Sequence, residues 1–310
     1  MLPRIKRHLK SILFIVAALI IFSSASLPAA EKPRQGAEIL LSRYRMNRAR
    51  LESNNFGIPL VVESFERDDR VQVDVYGILD HPFSNLVNLL KVPANWCDIV
   101  SLIPTVKACT SRDLPGTGLL TLYLGRKVYQ PPEESHPIMF KFRNIDQQQG
   151  YADFILNAVE GPFGTKDHKI RVEALPLDGA RTFVHVSSAY DDSAALRLAA
   201  RIYFATLGRN KVGFTVTGTD EDNNPVYIGG PRGAVERNAV RCYLGIQAVM
   251  ISMQAPEQNR FSIRTKQWYD LSTRYRKQLF DLDKQEYLTI KTKEHKNRQT
   301  LQQRVATGIK

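Results

Sequence analysis

The chain has only three cysteines in 310 residues, and none is paired at the short C-x₂-C spacing that zinc sites use. Cys97 and Cys109 are twelve positions apart, Cys242 stands alone, and His81 is the only histidine near the first pair. No metal centre is expected on that pattern. A nucleophilic thiol would need a partner base and a lowered pKa, and nothing in the sequence places a base such as His185 beside a cysteine. No G-x-S-x-G elbow occurs, which disfavours an esterase of the α/β-hydrolase kind. The glycine-rich "GGPRG" (229–233) precedes a helix but lacks the Lys-Ser/Thr of a phosphate-binding loop and does not fit G-x-G-x-x-G. Its backbone N–H groups could hold an anionic head group, or it is a glycine-allowed turn. No cofactor is expected, and no internal repeat is visible.

Excess charge is missing from the body of the chain. There are 43 Lys+Arg against 31 Asp+Glu, but the first ten residues hold four unopposed basic groups, and Arg260–Lys310 holds thirteen basic and five acidic residues. Residues 31–259 carry 26 of each sign. A nucleic-acid enzyme would carry basic charge on its folded core, so nucleic acid is not an expected partner.

The first thirty residues have a plain layout. Arg4, Lys6, Arg7 and Lys10 precede the apolar run "SILFIVAALIIF", and "SSASLPAA" supplies small residues after it. This is the order of a secretory signal peptide, and the run is short for a membrane span; an uncleaved anchor is the alternative. No cysteine follows the run, so a lipoprotein is not expected. The sequence therefore predicts an exported, periplasmic protein. It divides into a leader (1–30), a basic helical lead-in (31–58), a central domain (59–257) and a basic amphipathic C-terminal helix with a polar, frayed tail (258–310).

Within the central domain, "VQVDVYGILD" (71–80) alternates as a half-buried strand does. Residues 81–104 read as two short helices broken at Pro93. Strands follow at 105–111, 119–129, 138–145 and 151–161, and 169–177 and 180–190 flank Asp178-Gly179, a strong hairpin signal. A helix over 192–208, a strand over 211–218 and a long apolar helix over 229–253 complete the order. At 100° per residue, Val235, Ala239, Cys242, Ile246, Met250 and Met253 share one face of that last helix. A face so wide needs a large surface to cover it, and a curved antiparallel sheet would supply one.

With "PANWCDI", "GPFGT", "LGRNKVGFTVTG" and "GPRGAVERN" ahead of the long helix, the sequence resembles the START-like helix-grip (SRPBCC) group, and within it uncharacterised exported proteobacterial members. The resemblance covers roughly residues 60–255. It implies an α+β fold in which a curved antiparallel sheet wraps a C-terminal helix around a cavity, here with basic helical extensions at both ends. It also implies a hydrophobic cargo.

On this reading the aromatic residues Trp96, Tyr123, Phe142, Phe214 and Tyr243 are candidate walls of the cavity between the sheet and helix 234–253. Arg143, Glu173, His185 and Glu236 are candidate polar anchors; salt bridges and caps at the sheet rim are the alternative use of such groups. "IVSLIP" (99–104) is wall or core. Cys97 and Cys109 are either joined by a disulfide in an oxidising compartment or are buried as small hydrophobes. In the tail, Trp268, Leu271, Tyr275, Leu279 and Leu282 form a stripe among basic residues. Over 265–290 this helix either lies on anionic lipid or packs on the domain. The leading function is non-enzymatic binding of a lipid or other apolar small molecule. The alternatives are an enzyme using the same cavity, with Glu173, His185 or Glu236 as acid–base group, and an interaction protein docking through its C-terminal helix.

Overall fold

A computed structural model describes residues 34–54, 56–114, 117–148 and 150–308. The expected leader lies outside them. The chain divides into two units, Met1–Gly36 and Ala37–Lys310, and the second holds the architecture that follows.

The described residues begin with helix α1 (Arg34–Glu52), followed by strands β1 (Leu60–Arg67) and β2 (Arg70–Leu79). Two short helices come next, α2 (Phe83–Leu90) and α3 (Pro93–Val100); Pro93 opens α3 at a position where a missing N–H costs nothing. Strands β3 (Val106–Leu114), β4 (Thr117–Leu124), β5 (His136–Gln148), β6 (Tyr151–Glu160), β7 (Lys166–Pro176) and β8 (Thr182–Asp191) follow as a meander. Helix α4 (Ala194–Ala205), a small hairpin of β9 (Val216–Thr219) and β10 (Pro225–Tyr227), and the long helix α5 (Gly230–Ser252) come after. Three further helices close the chain: α6 (Glu257–Thr273), α7 (Arg276–Leu279) and α8 (Lys284–Thr307).

Eight strands form one antiparallel sheet in the order β1-β2-β8-β7-β6-β5-β4-β3. The segment read as a strand over 211–218 does not join it. Only its end pairs, as β9, with β10 in a separate two-stranded sheet. Helix α5 packs on β1, β2 and β8 while α3 bridges it to β3 and β4, so both halves of the sheet close on the same helix. This is the helix-grip arrangement.

Two close approaches set the spacing inside the grip. A Cβ on Gly77 would meet the Tyr243 hydroxyl at 2.4 Å, and one on Gly245 would meet Ile99 at 3.1 Å. Glycine at these two points lets β2 and α3 press against α5.

The opposite face of the sheet has its own smaller core. Leu40 and Leu51 of α1 cover Tyr76, Tyr151, Leu175 and Phe183, and Tyr44 tilts onto Phe183 at 5.1 Å.

The C-terminal segment is an integral part of the body. Trp268, Leu271, Tyr275, Leu279 and Tyr287 are buried in the main core, and Trp268 Nε1 donates to the Arg241 carbonyl at 3.1 Å. The expected polar, frayed tail is corrected as well. In α8, Glu294 accepts from Lys107 at 2.7 Å and from Lys291 at 2.8 Å, and all three side chains are buried. The amide of Gln302 accepts from Ser111 N and donates to Ser111 O, both at 2.8 Å, and so pairs with one residue on the outer edge of β3 as a neighbouring strand would.

Candidate functional site

The interior between sheet and α5 has a filled end and an open end. At the filled end Trp96 is wholly buried, donates from Nε1 to the Leu90 carbonyl at 2.8 Å, and packs on Phe142, which stacks on Phe154. Tyr243 lies there too, its hydroxyl donating to the Ile78 carbonyl at 3.1 Å. A disulfide joins Cys97 of α3 to Cys109 of β3, with Cα atoms 5.1 Å apart, and fastens the helix to the sheet.

At the open end α5 presents the short side chains Val235, Ala239 and Cys242 to the sheet, and a cavity of about 230 Å³ remains. Its apolar wall comes from Val100 and Ile103 after α3, Leu122 and Leu124 of β4, Ile138 and Phe140 of β5, and Val235, Ala239 and Cys242 of α5. A polar rim is formed by His168 of β7, Ser188 and Tyr190 of β8, and Asn238. Among the described residues, no Asp, Glu, Lys or Arg lines it.

The rim is electrically neutral. Burial pulls the His168 pKa down and pushes the Tyr190 phenol up to about 12, and burial likewise raises the Cys242 thiol to about 12. The His168 ring stacks on Tyr190 at 5.3 Å. Thr165 Oγ1 gives its single proton to the Pro162 carbonyl at 2.8 Å, so its 2.8 Å contact with His168 Nε2 requires that nitrogen to carry the proton. Nδ1 is then the acceptor of the neutral ring.

None of the nine residues expected at the cavity lines it. Trp96, Phe142 and Tyr243 share its interior but belong to the filled end. Tyr123 and Arg143 are on the other face: in β4 the inward residues are Leu120, Leu122 and Leu124, and in β5 Arg143 is the exposed neighbour of buried Phe142. Phe214 packs edge-on against Phe56 and Tyr275, beside a groove of about 430 Å³ along the edge of β1.

Glu236 is a structural carboxylate. It is fully buried and accepts from Phe214 N at 2.6 Å, Thr215 N at 2.9 Å, Thr215 Oγ1 at 2.7 Å and Ser64 Oγ at 2.5 Å. Its four donors pin the 214–215 segment and β1 to α5.

Glu173 and His185 do lie together, but on the outer face of the sheet. His185 sits between two carboxylates, Nε2 at 2.8 Å from Asp74 and Nδ1 at 2.9 Å from Glu173. Tyr151 donates to Glu173 at 2.6 Å, and Arg171 bridges Glu173 to Asp153. Burial works against the His185 imidazolium, but the bonds and charges of Asp74 and Glu173 outweigh it and raise its pKa. Burial likewise opposes ionisation of the two carboxylates, yet His185 pulls both below their ordinary values, with Tyr151 and Arg171 also acting on Glu173. Each of the three carboxylates has a cationic partner, His185 or Arg171, so the cluster is a structural lock beside α1.

The residues missed at the rim, His168, Ser188 and Tyr190, were within reach of the strand alternation. Val172 and Ile170 on β7, and Val184 and Val186 on β8, point inward; continuing each series by steps of two reaches them. Among the described residues, no group of three or more His, Cys, Asp or Glu side chains could hold a metal ion.

No protein-family profile matches the chain, and no curated protein matches it in sequence. Solved structures do. The chain is similar to the Zhui aromatase/cyclase from Streptomyces sp. R1128, at 13% identity and TM-score 0.38 over 60% of this chain and 96% of that one. Human StAR-related lipid transfer protein 5 aligns at 9% identity and TM-score 0.35, over 72% and 98% of the two chains. A START superfamily protein from Mycobacterium smegmatis aligns at 12% identity and TM-score 0.31, over 44% and 88%. The fold is START-like. The strand order and the helix held in the sheet's grip carry that statement, together with the α2–α3 pair between β2 and β3.

Proposed function

We propose that this protein binds one small, uncharged hydrophobic molecule in the cavity between the sheet and α5, without transforming it. The observation that carries the reading is the cavity's chemistry: about 230 Å³ of mainly apolar wall, a neutral rim of His168, Ser188, Tyr190 and Asn238, and no charged lining residue. A charged ligand would lose its hydration there with no opposite charge to offset the loss. Volume narrows the class further. An apolar cavity of about 150 Å³ takes benzene, and sites for drug-sized ligands begin near about 300 Å³. One or two fused rings, or a short chain bearing one hydroxyl or carbonyl, fit this space, and a two-chain lipid does not.

We place the protein in an oxidising, exported compartment. The Cys97–Cys109 bridge and the leader-like first thirty residues support that placement.

Native mass spectrometry of the protein isolated from cells, followed by denaturing extraction, tests the binding reading. The expected result is a single small neutral adduct released on denaturation. A bare mass, together with no uptake of apolar dyes, would overturn it.

A second reading, an enzyme in the same cavity, rests on His168, whose Nδ1 is positioned by tautomer to accept a proton. Chemical change of a bound ligand that is lost in His168→Gln while binding persists would favour it.

A further inference from the structure

Helix α4 leaves its apolar side uncovered. None of its residues is buried, and Leu198 and Ile202, one turn apart, are each 61% exposed. Leu207 just beyond the helix is 85% exposed, and Phe163, in the turn that holds the start of α4, is 57% exposed. Large apolar side chains rarely stand together in water unless something meets them.

The charge around them has one sign. From Ser193 to Thr219 there is no Asp or Glu, and Arg197, Arg201, Arg209 and Lys211 are the only charged residues. Arg197 is paired with Asp69 at 2.7 Å, and Lys211 lies 3.4 Å from Asp281. Arg201 and Arg209 are exposed and have no ion pair among the described residues.

The helix is tied to the cavity rim. Ser193 caps it by accepting from Leu196 N at 3.0 Å, and the same hydroxyl donates to the Phe163 carbonyl at 2.5 Å. Pro162, the residue before, is part of the cavity wall, and Tyr190 at the end of β8 is part of the rim. The C-terminal helices offer no such surface, because the apolar stripe of 268–279 is buried in the core.

We propose that α4 and the loop to Lys211 form a docking surface for an anionic lipid bilayer, which sets the rim of the cavity against the membrane. Leu198, Ile202, Leu207 and Phe163 enter the interfacial layer, while Arg201 and Arg209 meet the lipid phosphates. The bilayer is favoured over a protein partner because the apolar groups are flanked by Arg201 and Arg209, which have no ion pair among the described residues, and the segment 193–219 itself contributes no acidic residue. This surface stands whether or not the cavity holds a ligand.

Hydrogen exchange of the full chain, with phosphatidylcholine vesicles prepared with and without phosphatidylglycerol, reads the site directly. Residues 193–211 are expected to gain protection on anionic vesicles only, and to lose it at high salt. In the double variant Leu198→Asp/Ile202→Asp vesicle affinity should fall by about tenfold or more, and in Arg201→Glu by about fivefold, with the fold intact because none of these side chains is buried. Unchanged exchange at 193–211 on anionic vesicles would overturn the proposal. So would protection that rises with protein concentration in the absence of lipid, which would mark the face as a protein interface.

Discussion

The two ends of the space between the sheet and α5 are built from the same elements and come out differently. At one end α5 presents Tyr243 and the sheet presents Phe142 and Phe154, with Trp96 packed on Phe142 and all four side chains buried. At the other it presents Val235, Ala239 and Cys242 against Leu122, Ile138 and Val186, and about 230 Å³ stays open. The backbone spacing is fixed by the filled end, where Gly77 and Gly245 allow close contact. The open end cannot collapse without moving that contact, so short side chains there leave a pocket. The filled end holds the grip and the open end receives the ligand.

The sharpest way to break this contrast is to hollow the filled end. Trp96→Ala removes a fully buried indole and its bond to the Leu90 carbonyl, and should cost about 3–5 kcal/mol of unfolding free energy in chemical denaturation. Next comes the bridge. Replacing Cys97 and Cys109 together by Ala opens a loop with a sequence separation of 12 and should cost about 3 kcal/mol.

The outer face gives a smaller, pH-dependent effect that should leave ligand binding unchanged. His185→Ala removes the only ion pair of Asp74 and one of the partners of Glu173, which keeps Arg171 and Tyr151, and should cost about 2 kcal/mol near pH 6. The folded pKa of His185 lies above its ordinary 6.5, so its contribution is full below that value and fades as pH rises through the folded pKa. Asp74 and Glu173 have lowered pKa values, so theirs is full above their ordinary 3.8 and 4.5 and is lost on acidification. Wild-type stability should therefore be greatest on the weakly acidic side, and the variant should lose that maximum. A pH series of denaturation midpoints checks it.

Much of this was legible in the sequence. The strands β2 to β8, the α2–α3 pair, α4 and α5 follow from periodicity and from the Pro93 and Asp178-Gly179 signals, while the strand expected over 211–218 and the frayed tail do not hold; the apolar face of α5 through Val235, Ala239 and Cys242 is the one that lines the cavity. The anchors were misplaced because chemical interest was weighed above parity. Glu173 and His185 sit one residue out of step with Val172 and Val186, and Tyr123 one out of step with Leu122, and a single step reverses the face. Other facts lie beyond any local pattern. The stripes of α4 and α6 are both apolar among basic residues, and only tertiary packing buries Trp268 and leaves Leu198 exposed. Nothing local tells which end of the grip stays empty.

The most direct measurement fills the open end. Ala239 lines the cavity, and Ala239→Trp places an indole inside it with little demand on the surrounding core. Titration calorimetry with 2-naphthol, a neutral two-ring probe, should show one site in the wild-type protein and an affinity at least about tenfold weaker in the variant, a loss of about 1.4 kcal/mol, with the denaturation midpoint maintained. Equal affinity in both proteins, or no binding to the wild type, would contradict the account.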